Sequence, residues 1–213
     1  MKKVGIIGSG IVGKTLAAGA ISHGYEAMIA SRDTSKLEEW HQDNSSVQLG
    51  SVDDAAQFGD IVIFAVKGTV AKEALEGIDS NYLKGKTVID ATNPIDTSAP
   101  DNGVLRFFSS INRSLMEELQ EAQPEANFVK AFNSIGSAFM VDPQFEGGKP
   151  TMFIAGNSDE AKEEVREMLL KFGHDIEDMG GVEGARAIEP LCMLWCIPGF
   201  RENRWSHAFK LLK

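Results

Sequence analysis

The chain has 213 residues, with 21 Lys and Arg against 31 Asp and Glu, a formal net charge of −10. At 43% hydrophobic and 24% charged residues it is an ordinary globular mixture, long enough to bury a core unaided, which argues against disorder and fibres. So acidic a surface repels a phosphate backbone: general nucleic-acid binding is not expected, and any anionic ligand needs a local site that overcomes the global field.

Lys3 to Ile7 reads as a short buried strand, broken at Gly8. From Gly10 to His23 small and apolar residues recur with helical spacing, and Gly24 stops the run as a C-terminal cap does. Tyr25 to Ala30 is a second strand. Asp33 to His41 looks helical, with Asp33 or Thr34 as cap. Asp60 to Val66 is a continuous apolar strand, the pattern of a sheet covered on both faces. Val70 to Leu75 is helical, Thr87 to Ala91 a strand, and Ser110 to Gln123 a helix stopped by Pro124. Asn127 to Phe132 and Met152 to Ala155 are further strands. Ser158 to Phe172 is an amphipathic helix whose acidic run is a solvated face. This alternation predicts an α/β fold: a Rossmann-type, doubly wound parallel sheet over residues 1–180, with a small C-terminal helical cap over 181–213.

The loop Gly8-Ser9-Gly10-Ile11-Val12-Gly13 fits the dinucleotide pattern G-x-G-x-x-G. Its glycines serve a tight turn, the approach of a pyrophosphate, and close packing of helix on strand. Free amides and the positive end of the helix dipole then face the anion. Gly8 to Thr15 also satisfies the P-loop pattern, with Lys14, and Asp90 ends a strand that could hold magnesium. A P-loop phosphotransferase is therefore a rival. The second strand, and the charged residues at its end, favour the dinucleotide reading.

Those residues are Ser31-Arg32-Asp33, with Lys36 one turn on. A hydroxyl and a guanidinium suit a 2′-phosphate, which favours NADP(H) over NAD; Asp33 is either a helix cap or an acidic selector. Ligands of such folds lie beyond the carboxyl ends of the strands. Here that brings in Ala65, Val66 and Lys67 with Val70, then Asn93 and Pro94, then Asn133, Ser134 and Ile135. Asn93 and Asn133 are candidates to bond a nicotinamide or its ribose, or are plain turn asparagines. No acid–base triad and no metal cluster stand out.

After Gly180-Gly181 comes the tail. Pro190 sits inside a run that otherwise reads as helix and frees the carbonyl near Arg186; Pro198-Gly199 reads as the helix end, and Trp205 to Leu212 as a last short helix. Met193, Trp195, Phe200, Trp205 and Phe209 suit core, a dimer interface, or a roof over a flat ring. Arg186, Met193 and Trp195, with Asn133 and Ser134, are the substrate-side candidates. Cys192 and Cys196 share a helix face and read as reduced thiols rather than redox or metal ligands. No membrane span or signal peptide is read, so a cytoplasmic protein, expected as a homodimer, follows.

Four stretches together resemble the coenzyme F420-dependent NADP oxidoreductases: Gly8 to Lys14, Ser31-Arg32 with Lys36, Lys130 to Gly136, and Ala185 to Leu191. A more distant similarity reaches pyrroline-5-carboxylate reductases and the reductase domain of STEAP metalloreductases. The likeness spans essentially the whole chain. It implies hydride transfer between NADPH and a deazaflavin lying against the nicotinamide, with the cofactor held by Ser9 to Val12, Ser31, Arg32 and Lys36. On the acceptor side the chain departs from archaeal members, which tend to carry histidine at Asn133 and a different loop at Lys67-Gly68-Thr69. A flavin therefore stands beside F420 as the small-molecule acceptor. The remaining alternative is an NADP(H)-binding regulator without catalysis.

Overall fold

A computed structural model describes residues 1–213. Fifteen regular elements follow in order: β1 Lys3–Ile7, α1 Ile11–Ser22, β2 Glu26–Ala30, α2 Glu38–Asp43, β3 Gln48–Gly50, α3 Val52–Phe58, β4 Ile61–Phe64, α4 Ala71–Glu76, β5 Thr87–Asp90, α5 Leu115–Ala122, β6 Asn127–Lys130, β7 Thr151–Gly156, α6 Asp159–Lys171, β8 Asp175–Asp178 and α7 Ala185–Glu202. The strands form one sheet ordered β3-β2-β1-β4-β5-β6-β7-β8. Every neighbour pair is parallel except β6 and β7. The expected Rossmann-type sheet is thus present, with one antiparallel step that the sequence did not announce.

Burial explains why the strands read as unbroken apolar runs. Successive residues alternate between two cores. Ile61, Ile63, Ile89 and Val129 face α1 and α6, while Val62, Phe64, Val88 and Phe128 face α3, α4 and α5. Caps set several helix starts. Ser51 and Ser114 each form a reciprocal capping box, with Asp54 and Glu117, and the Ser158 hydroxyl accepts from the Ala161 amide.

The structure corrects several elements. The helix expected from Ser110 begins only at Leu115, because Ser114 makes the capping box and Ser110 to Arg113 is a turn closed by an isolated bridge. Thr34–Leu37 is a 3₁₀ turn that hands over to α2 rather than one continuous helix. The short elements β3, α3 and β8 went unread, their sequences being too polar or too brief for a clear period. Pro198 does not end α7, which runs on to Glu202 and closes at left-handed Asn203. A proline removes its own amide bond and crowds the carbonyl four residues back; here that carbonyl is Leu194's, on a residue half-open to water. Trp205 to Leu212 is not helical. It crosses β7 as an extended strap, the Thr151 amide donating to the Phe209 carbonyl (2.9 Å) and the Leu211 amide to Thr151 Oγ1 (3.0 Å).

Candidate functional site

Two cavities open where the strands end. The first, about 780 Å³, is a groove lined by Gly8, Ser9, Gly10, Ser31, Arg32, Lys36, Ala65, Val66, Lys67 and Val70, with Asp33, Thr69 and Glu73 among its other walls. The glycines divide the work in the way a dinucleotide loop requires. Gly8 sits at φ +129°, and a Cβ there would lie 2.3 Å from the Ala65 carbonyl oxygen. At Gly13 a Cβ would lie 1.9 Å from the Gly8 oxygen, so glycine lets α1 close on the loop. A Cβ at Gly10 would meet nothing within 4 Å: the protein leaves that space open to the groove. An anion held over the loop fits there, against the start of α1.

At the groove's far end Ser31 ties two loops together. Its hydroxyl lies 3.1 Å from the Ser9 hydroxyl and donates to the Asp33 carbonyl at 2.7 Å. Asp33 is committed as a cap: its carboxylate accepts from the Ser35 amide and hydroxyl, and the Ser35 hydroxyl foremost holds its pKa below the ordinary carboxylate value. That leaves the exposed Arg32 and Lys36 as the cations of this end. The P-loop features do not assemble. Lys14 lies over the Trp40 ring, 6.0 Å from its centroid, and does not line the groove. Asp90 is fully buried and occupied by Lys130.

The second cavity, about 470 Å³, is an apolar chamber walled by Val12, Ala91, Asn93, the segment Phe132 to Met140 without Ser134, and Cys192, Trp195, Cys196 and Trp205 of the cap. Phe132 holds a left-handed backbone, φ +63°, an uncommon state for a bulky residue. It is kept there by its buried ring, 6.1 Å from that of Phe172 and edge-on to His174. Asn133 follows. Its amide nitrogen donates to Asn93 Oδ1 and to the Ile188 carbonyl, both at 3.1 Å, while Asn93 donates to the Asn133 carbonyl at 2.8 Å. These partners fix which way both amides face. Asn133 Oδ1 is left buried without a donor. An unpaired buried acceptor costs stability, and this one belongs to a residue that lines the chamber.

Not every candidate gathers. Ile11 is exposed on α1, and neither Ile11, Pro94, Ser134 nor Met193 lines either cavity. Arg186 stands away from both. It makes a bidentate pair with Glu117, Nε donating to Oε2 at 3.0 Å, and this contact, foremost, lowers the Glu117 pKa to about 2. The same carboxylate accepts from the Ser114 amide and hydroxyl. Arg186 is thus a clasp between α7 and α5, not a substrate ligand. Trp195 lies on the wall of the chamber. Its ring stands over Gly136, and its indole N–H donates to the His207 carbonyl at 2.9 Å while His207 Nε2 bonds the Trp195 carbonyl at 2.8 Å.

One buried cluster lies outside the site residues singled out in the sequence. Lys130, wholly buried, has its ammonium 2.7 Å from Asp90 Oδ2, 2.9 Å from Glu189 Oε1 and 2.9 Å from the Thr92 carbonyl. Glu189 also accepts from the Leu115 and Met116 amides, both at 3.0 Å, at the start of α5. The second negative charge is therefore offset by a helix N-terminus. The two carboxylates hold the Lys130 pKa above its ordinary value against the opposing effect of burial. A sequence signal existed: Asp90 and Lys130 each close an apolar strand and lie in register on neighbouring strands, and buried charges so placed require each other.

Comparison with known proteins fits this geometry. Residues 3–94 match the family of NADP oxidoreductases described as coenzyme F420-dependent. The metalloreductase STEAP3 of Rattus norvegicus is 29% identical over 202 residues, covering 92% of this chain, which spans only 38% of that longer protein. The F420-dependent NADP reductase of Methanothermobacter marburgensis is 29% identical over 205 residues, 91% of this chain and 90% of the relative. A crystal structure from an Arthrobacter species, provisionally described as an F420-dependent NADP reductase, superposes with a TM-score of 0.93 at 30% identity, covering 100% of both chains. No helix of this chain is long and apolar enough to cross a membrane. The chain belongs to the F420-dependent family of NADP oxidoreductases.

Proposed function

We propose that this protein binds NADPH along the groove, with its nicotinamide in the chamber, and passes hydride to a flat ring acceptor, a deazaflavin of the F420 type or a flavin. The observation that carries this is the glycine loop, which leaves room for an anion at Gly10, beside an apolar chamber lined by Asn93 and Asn133. Gly8 to Val12 would hold the pyrophosphate, and Ser31, Arg32 and Lys36 the 2′-phosphate. Asn133, oriented by Asn93 and Ile188, would accept from the carboxamide and so fix which ring face meets the acceptor. The bound cofactor supplies the hydride. The chain's own part is orientation: donor and acceptor atoms must come within roughly 3–3.5 Å in line. Trp195, Trp205 and Phe139 supply apolar walls that exclude water. No carboxylic acid, lysine or histidine lines the chamber, which suits a ring acceptor better than a carbonyl substrate. The exposed apolar side chains of Leu194 and Phe200 on α7 support the homodimer reading.

The test is anaerobic NADPH oxidation followed by absorbance, with F420, FMN, FAD and a ferric chelate supplied separately. Turnover with F420 alone establishes the deazaflavin. Turnover of ferric chelate only when flavin is added points to metalloreductase chemistry. Tight NADPH binding with no turnover on any acceptor overturns the catalytic reading in favour of an NADP(H)-binding regulator.

A further inference from the structure

The chamber holds two nucleophiles that hydride transfer does not use. Cys192 is buried and Cys196 half-buried, both free, and both line the cavity from one face of α7. Spaced four apart, they stand on successive turns of that face. The neighbouring thiol and burial push the Cys192 pKa up, while the neighbouring thiol lowers that of Cys196, so the pair has a less and a more reactive member. The more reactive one is the more open to solvent.

We propose that Cys192 and Cys196 form a reversible, hydroperoxide-driven dithiol–disulfide pair inside the chamber. The Cys196 thiolate attacks the terminal oxygen of a hydroperoxide and breaks the O–O bond. The leaving alkoxide takes up the proton that Cys196 released, giving an alcohol and a sulfenic acid on Cys196. The Cys192 sulfur then attacks the Cys196 sulfur, expelling hydroxide, which leaves as water with the Cys192 proton. In sum two thiols and one hydroperoxide become a disulfide, an alcohol and water; the sulfurs are oxidised by two electrons and the peroxide is reduced. An external thiol or dithiol reverses the step by exchange.

Geometry makes the bond feasible and labile. Residues four apart on a helix have Cα atoms about 6.2 Å apart, inside the disulfide range of roughly 4.4–6.8 Å. Their Cβ atoms start about 5–6 Å apart, whereas a disulfide needs about 3.5–4.5 Å. The helix must tighten by about 1 Å. It is already short of one hydrogen bond there, because Pro198 cannot donate to the Leu194 carbonyl that lies between the two cysteines. A disulfide closed under such strain is easily reduced, as a switch requires and a structural staple does not. Tightening also drags on the adjacent Trp195, whose ring stands over Gly136 in the chamber wall, while the groove is untouched. The effect on acceptor turnover rests on the chamber reading above; the sulfur chemistry does not.

The experiment exposes the reduced whole protein to stoichiometric hydrogen peroxide, then measures free thiols, peptide masses and tryptophan emission. Both cysteines fall in one tryptic peptide, residues 187–201. The expected result is loss of two hydrogens from that peptide, a shift in emission, NADPH affinity unchanged within about twofold, and full recovery with dithiothreitol. Cys192→Ser should strand Cys196 as a sulfenic acid trapped by dimedone. Cys196→Ser should leave Cys192 at least about tenfold slower to react, as its less reactive thiol predicts. Two thiols still titratable after exposure, disulfides joining separate chains, or equal oxidation rates at Cys192 with and without Cys196 would each overturn the proposal. If the disulfide forms but acceptor turnover is unchanged, the dithiol stands and the chamber's role as acceptor site falls.

Discussion

The groove and the chamber lie at the same edge of one sheet but are built by opposite means. Much of the groove's ligand surface comes from two neighbouring loops, Gly8 to Gly10 and Ser31 to Lys36, inside a single strand–helix–strand unit. Backbone conformation and short polar contacts set it. The chamber draws on residues from 12 to 206, brought together by a buried ion cluster, a strained phenylalanine and a C-terminal strap. A local site of this kind is damaged by changes to its own loop. A composite site is damaged from a distance, through the contacts that hold its walls in place.

The sharpest way to break the composite side is Lys130→Met. It leaves Asp90 and Glu189 buried without their cation, at a cost of about 3–5 kcal/mol of folding stability, read as a lower urea midpoint. A midpoint unchanged from wild type would show that the cluster does not hold the cap.

On the local side, Gly10→Val should fold normally, since its Cβ meets no atom within 4 Å, yet fill the space left for the pyrophosphate. NADPH affinity should fall about 100-fold by calorimetry, or about 2.7 kcal/mol, with thermal stability retained. Arg32→Ala comes next. Loss of charge-assisted bonds to a 2′-phosphate should weaken NADPH by roughly 10–100-fold while NADH binding changes little. Equal losses for both cofactors would remove Arg32 from that role.

The Arg186–Glu117 clasp makes a smaller, pH-dependent contribution on the composite side. The Glu117 pKa is depressed to about 2, so the unfolded chain binds that proton more readily. The stabilisation is present above the unfolded carboxylate pKa near 4.5 and is lost as pH falls toward 2. Allowing for solvent around the half-exposed guanidinium, it is on the order of 1–2 kcal/mol. Glu117→Gln should flatten the wild-type fall in urea stability over that window; an unchanged slope would assign it elsewhere. The smallest effect belongs to Lys14→Ala. Because Lys14 lies over Trp40 and outside the groove, NADPH affinity should stay within about twofold in the same titration. Loss of all nucleotide binding would revive the phosphate-loop reading.

The sequence by itself determined the α/β layering and much of the groove, because both rest on local physics. Apolar strands and helical spacing announce a covered sheet, and Gly8, Gly10 and Gly13 announce the loop within six residues, although the carbonyl that crowds Gly8 comes from Ala65 at the end of β4. Ser31, Arg32 and Lys36 were legible for the same reason. The structure settled Asp33 on the cap that the sequence had offered, through Ser35 two residues on. Only the tertiary structure decided that Arg186 serves Glu117 and that the tail is a strap rather than a helix, because each of these has a distant partner that sequence spacing does not show. Ser35 was close enough to have been weighed against a ribose for Asp33, but nothing within one turn of Arg186 points to a carboxylate on α5. Of the Lys130, Asp90 and Glu189 cluster the sequence carries only a partial signal, a charge closing each of two apolar strands: residues 40 and 59 positions apart meet only when the sheet sets β5 beside β6 and α7 folds back across them, and the cost of burying a charge then forces the pairing.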